Sequence, residues 1–218
     1  EMTSSLVGSE MCIRDSLTTG SAIYFMKHVL GNGSLLGLFS MMKMFPVIIA
    51  LIFTPILVKK TGSMQKVNFW GYVISDILGI FLIIFAMQKN LPMMLLFMFL
   101  KGTFAGTMSG TLNALIAEIS GYTYRTKGVH IDGMMFSCSS LGVKVGGGIG
   151  TAAVGWLLHA AGYAGKAATQ TVAATNMIFS MYITIPVILG VVITILLGLM
   201  KVEKENKRID MERAEQAD

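Results

Sequence analysis

Charge is scarce in this sequence. Only 13% of its 218 residues are Asp, Glu, Lys or Arg and 54% are hydrophobic, whereas a soluble globular domain carries about 25% charged residues. Cysteine is nearly missing as well: Cys12 and Cys138 are the two, too few for a disulfide framework or a cysteine-built metal centre. His28, His130 and His159 stand in no metal-ligand spacing. There is no Ser/His/Asp order and no phosphate-binding glycine loop. These absences argue against an enzyme and predict neither a cofactor nor a bound metal. The net charge of +5 is read through loop topology rather than as a nucleic-acid signal, because basic residues of membrane proteins gather in cytoplasmic loops.

What the chain has in abundance is long apolar runs, which predict an all-α membrane protein with the lipid bilayer as its surroundings. Five segments are long enough to cross: 35–58, 67–87, 91–117, 131–161 and 176–200. A sixth, 17–30, falls short of the ~20 residues a spanning helix needs and reads as a partial helix. Lys59, Lys60, Lys66, Arg125 and Lys127 fall on one set of loops, and the tail 201–218 adds Lys201, Lys204, Lys207, Arg208 and Arg213. The alternate set carries Lys89 and Lys166, with Lys27 near a helix end. This asymmetry predicts a multi-pass protein of the plasma (cell inner) membrane with a cytoplasmic C-terminus.

Four charges lie deep inside these apolar runs. Lys144 is 13 residues past Ile131 and 17 before Ala161, too deep to snorkel. An ammonium at that depth costs at least ~2.5–3.5 kcal/mol unless it faces a polar cavity or a partner, so it marks a candidate functional site. At about 100° per residue, Ser137, Ser140 and Gly148 share its face, and Gly142, Gly146 and Gly150 lie on the opposite one. A second glycine series, Gly102, Gly106 and Gly110, has the same spacing; small residues so placed let membrane helices pack closely. Asp76 needs a proton, a cation or a partner, and the economical pairing is with Lys43 or Lys101. Lys43 also lies within snorkelling reach of a helix end.

The stretch from Ala117 to Tyr163 carries a recognisable pattern. Tyr122, Gly128, Gly133, Ser137, Lys144, Gly146, Gly150, Gly155 and Trp156 resemble the loop and following helix of the glycoside–pentoside–hexuronide cation symporters, the melibiose-carrier group of the major facilitator superfamily. Glu118 stands for the family's first loop Asp, His130 for its Arg and Asp132 for its Glu. Gly121, Arg125 and the reversed Thr126-Lys127 depart from the pattern. Upstream, Tyr24–Asn32 and Pro55–Gly62 resemble the family's helix end and loop entry. The resemblance implies the C-terminal, six-helix half of a twelve-helix transporter whose N-terminal half is the missing partner. It implies a sugar or glycoside substrate coupled to Na⁺ or H⁺, with the main cation site in the absent half. Lys144 and Ser140 then carry substrate and cation coupling, and Glu118, Tyr122, Arg125, Lys127, His130 and Asp132 form a cytoplasmic gating loop. Two other readings are a carrier of lipids or other amphiphiles and a non-transporting scaffold or sensor.

Residues 1–16 do not fit this picture. Leu6–Ser16 lacks apolar periodicity and resembles a translated transposase-type sequencing adapter. The expectation is that this segment is non-native and stands outside the predicted fold, and that the native protein extends further at its N-terminus; the other reading is a short polar extramembrane segment.

Overall fold

Helix ends are set by local chemistry. Ser63, Asn90 and Thr171 act as N-caps whose side-chain oxygens accept from the backbone N–H groups of Lys66, Met93 and Ala174, which satisfies donors the helix itself leaves open. Pro92 follows in the first turn of its helix, where its missing N–H is harmless. At the other ends Gly62 and Gly128 take left-handed conformations, φ 63° and 70°, and their N–H groups return to Val58 and Tyr124.

The computed structural model describes residues 2–128, 131–165, 167, 169–199 and 208, with side chains except at 2–5, 119, 122, 126 and 127. Among these the chain is all helical. Helix α1 (Met2–Tyr24) runs into a π-helical turn, Phe25–Val29. It is followed by α2 (Leu35–Thr61), α3 (Met64–Met87), α4 (Leu91–Ala105), α5 (Thr107–Lys127) and α6 (Asp132–Ala160). Then α7 (Val172–Phe179) passes through a second π turn, Ser180–Thr184, into α8 (Ile185–Leu199). Five helical stretches are long and apolar enough to cross a membrane: Leu35–Thr61, Met64–Met87, Leu91–Arg125, Asp132–Ala160 and Val172–Leu199. The fourth and fifth helices count there as one, interrupted only at Gly106.

Two apolar cores stack along the bundle. One gathers Leu17, Phe25, Phe39, Leu82, Met94, Ile178 and Tyr182. The other gathers Val7, Tyr72, Met108, Ile116, Met135, Ile193 and Leu197. The two π turns meet in the first core, where Phe25 stacks on Tyr182 with ring centroids 4.5 Å apart. His28 and the Tyr163 hydroxyl, 3.2 Å apart, tie the end of the first π turn to the connection after α6.

Two expectations are corrected here. Residues 2–16 form the first half of α1 rather than lying outside the bundle; nothing in them breaks a helix, and tertiary packing supplies what weak periodicity withholds. Glu118, Tyr122, Arg125 and Lys127 belong to α5 rather than to a loop, because no residue before Gly128 interrupts the helix. His130 and the tail 201–218, Arg208 apart, lie outside the described residues.

Candidate functional site

Helix α6 is built with two unlike sides. Gly146 and Gly150 are buried against α1: a Cβ at Gly146 would lie 2.6 Å from the Ser9 carbonyl oxygen, and one at Gly150 would lie 2.7 Å from that of Ile13. Backbone lies against backbone at these points, as the glycine spacing predicts. The packing partner is the very segment set aside as non-native. Gly142, the first member of the series, is only half-buried. On the opposite side Ser137, Ser140, Lys144 and Gly148 are all exposed. Thr151 continues this polar strip, seven residues beyond Lys144 and about 20° from it around the helix.

Thr151 leads to the other intramembrane lysine on the open side. With Thr19 and Gly20 of α1 and Lys43 of α2 it lines an open pocket of about 440 Å³. The Lys43 ammonium donates to Thr19 Oγ1 at 3.0 Å and lies 3.7 Å from Asp15 Oδ1. Lys43 also borders a larger, mostly apolar cavity of about 620 Å³ between α1 and α2, with Tyr182 in its wall. Arg14 and Asp15 sit in the adapter-like run, and no role is assigned to them. The polar strip is therefore carried by Ser137, Ser140, Lys144 and Thr151 on one helix, Thr19 on a second and Lys43 on a third.

The remaining two charges occupy the layer between the two apolar cores. Asp76 lies on α3 between Tyr72 and Leu82, and Lys101 on α4 between Met94 and Met108. Asp76 Oδ2 accepts a 2.6 Å hydrogen bond from Thr194 Oγ1 of α8. Lys101 reaches toward α3, where a Cβ at Gly79 would be 3.3 Å from its Nζ. It also lines a cavity of about 110 Å³ shared with Thr18, Lys43 and Tyr182. The pairing of Asp76 with Lys43 is corrected: Lys43 pairs with Asp15, and the carboxylate turns to Thr194. Lys101 makes no direct ion pair with Asp76 either, although its charge acts on that carboxylate. The reason is directional, since α8 presents a hydroxyl at closer range than any lysine.

Gly102, Gly106 and Gly110 pack as a series against α2, meeting Pro46, Ala50 and Leu51 in turn. Asp132 stands exposed at the start of α6, where a negative charge complements the helix dipole. Three contributors escaped the reading of the sequence. Thr151 carries a signal, its seven-residue spacing from Lys144. Thr194 and Tyr182 carry none, because hydroxyl residues in an uncharged apolar run look like any others.

These features can be set beside known proteins. The chain is similar to an uncharacterized 29.9 kDa protein of Pseudescherichia vulneris, 26% identical over 174 residues, covering 78% of this chain and 62% of that protein. It is similar to the isoprimeverose transporter of Lactiplantibacillus pentosus, 26% identical over 182 residues, with 84% and 37% covered. A putative glycoside/cation symporter of Escherichia coli K12, YagG, is 24% identical over 205 residues, with 91% and 44% covered. The chain thus spans between about a third and two thirds of the length of these relatives. A family model described as MFS/sugar transport protein matches residues 12–204. That match covers all but the two ends of a bundle of apolar helices with a polar strip on its open side, and on it the chain belongs to the MFS/sugar transport protein family.

Proposed function

We propose that this chain is the C-terminal half of a transporter that carries a sugar or glycoside across the cell membrane, coupled to Na⁺ or H⁺, by alternating access. The observation that carries the reading is the placement of Lys144. It lies in the middle of a spanning helix, on an exposed polar strip, while the opposite side of the same helix does the packing. A lysine held there is costly against lipid and useful against a polar cavity. The relatives named as an isoprimeverose transporter and a glycoside/cation symporter support a glycoside as the cargo. In this family such sites lie at mid-membrane between two six-helix halves, so the missing half closes over the strip. Ser137, Ser140 and Thr151 offer hydroxyls that exchange hydrogen bonds with a sugar. Lys144 supplies a mobile cation that answers carboxylates of the partner half when their own cation leaves. The positive loops support a C-terminus on the cytoplasmic side.

The test is uptake of labelled glycosides into vesicles holding the full-length protein, with a Na⁺ gradient, a proton gradient or neither. Gradient-driven accumulation is expected in the wild type, and its loss in Lys144→Ala with the protein still folded in the membrane. Intact coupled uptake by Lys144→Ala overturns the assignment of Lys144.

A further inference from the structure

We propose that Asp76 is a proton-binding site within this half of the bundle, exchanging a proton with solvent by way of the Lys101-lined cavity and switched by the hydroxyl of Thr194. The site meets the Lys144 strip only at Lys43 and does not depend on which cargo that strip takes. It stands on three observations.

The first is an unfilled valence. Asp76 is only 9% exposed. Its Oδ2 is bonded to Thr194, but its Oδ1 is buried with no hydrogen-bond partner. A permanently ionised carboxylate in an apolar layer demands more than one donor. One that alternates between charged and neutral forms demands a surrounding that serves both.

The second is that the surrounding does serve both. Thr194 Oγ1 lies 2.6 Å from Asp76 Oδ2 and 3.1 Å from the Gly190 carbonyl oxygen. With Asp76 ionised, the threonine O–H donates to Oδ2. With a proton on Oδ2, the acid donates to Thr194 Oγ1, and the threonine rotates its own hydrogen onto the Gly190 carbonyl. One bond to hydrogen forms on the carboxylate, none breaks elsewhere in the protein, and both states keep each of these hydrogens bonded. The only motion is a hydroxyl rotation.

The third is that room has been made for the charges. Asp76 Oδ1 occupies the place where a side chain on Gly190 would begin, and at Gly79 the Lys101 ammonium lies 3.3 Å from where a Cβ would be, beside the Val187 methyls that fill most of that space. Gly79 is one turn from Asp76 on α3, so cation and carboxylate lie on the same side of that helix. Lys101 also lines a mostly apolar cavity with Lys43, whose side chain is 39% exposed; Asp76 does not line it, and the proton passes from there to the carboxylate by way of Lys101. Around Asp76 the charged and titratable groups are Lys101 from α4, Arg14 from α1 and Tyr72 one turn away on α3. From α8 it meets Thr194 and Gly190. Arg14 falls in the adapter-like run, which leaves Lys101 as the cation supplied by the rest of the chain.

The experiment is infrared difference spectroscopy of the full-length protein in liposomes, following the protonated-carboxyl stretch as pH is lowered. A band lost in Asp76→Asn is expected. Lys101→Met removes the balancing cation and is expected to raise the ratio of protonated to ionised carboxyl at a fixed pH. Thr194→Val is expected to move the frequency of the same band, because the neutral acid loses its acceptor. That variant also assigns the band if Asp76→Asn does not fold. A wild type without a titrating band that these variants affect, or a Lys101→Met protein with an unchanged ratio, overturns the proposal. Glycoside uptake is measured on the same samples, so failure of the proton site and failure of the transport reading are told apart.

Discussion

Gly106 sits where two helices approach closely, and replacing it with alanine tests the packing directly. A Cβ at Gly106 would lie 2.8 Å from Ala50 Cβ and 3.2 Å from Val47 Cα. Neither atom is at the end of a flexible side chain. Carbon atoms prefer about 3.5–4.0 Å, so α2 must retreat by at least ~0.7 Å. Overpacking of this kind costs about 1–3 kcal/mol. The usual gain from alanine over glycine in a helix, up to ~1 kcal/mol, is small here because the helix is already interrupted at this residue. At Gly110 the obstructing atom is Leu51 Cδ2 at 2.9 Å, a terminal methyl that swings aside. Its cost and the helical gain are then of similar size, and the net change is near zero. At Gly155, mid-helix, exposed and with no neighbour within 4 Å, only the gain of ~0.4–1 kcal/mol remains. Thermal unfolding in detergent, followed by helicity, is expected to rank Gly106→Ala below wild type, Gly110→Ala beside it and Gly155→Ala above it. A Gly106→Ala protein as stable as Gly155→Ala would refute the close approach of α2 and α4.

Other substitutions probe polar parts of the bundle. Asn68 and Thr111 exchange hydrogen bonds of 2.6 and 3.0 Å while both are buried. Thr111→Val is therefore expected to cost about 1–3 kcal/mol by orphaning Asn68. The double variant Asn68→Leu/Thr111→Val is expected to cost less than the two singles together in the same unfolding assay. In a Cys12→Ser/Cys138→Ser background, Lys144→Cys is expected to react with a membrane-impermeant thiol reagent and Val154→Cys, from the buried side of α6, to resist it. Equal labelling of the two would remove the distinction between the faces of that helix.

Much of this arrangement is legible from residue spacing alone. The apolar runs mark five spans because a bilayer demands about 20 apolar residues in sequence. The faces of α6 follow from helical periodicity, which puts Lys144 and the Gly146/Gly150 pair on opposite sides whatever the tertiary fold. Other features were not legible, two of them for different reasons. The helical state of residues 2–16 is decided by their contact with Gly146 and Gly150, a long-range term no local pattern contains. The partner of Asp76 depends on how α3 and α8 rotate against each other. Coulomb's law favoured a lysine, and a threonine 118 residues away was the group within reach.

Glycine serves two ends in this bundle, and the difference explains where the charges lie. At Gly102 and Gly106 the missing side chain lets one helix approach another, and the space is filled by Pro46 and Ala50. At Gly190 it is filled instead by the carboxylate of Asp76, and at Gly79 by Val187 with the Lys101 ammonium beside it. An apolar side chain at Gly190 would push the carboxylate out of the layer between the two cores. Gly190→Leu would displace Asp76 from Thr194 without touching either residue chemically. The polar layer is thus held by residues that contribute no polar atom of a side chain. A search for function among the charged residues alone passes over the positions that decide whether those charges stay inside the bundle.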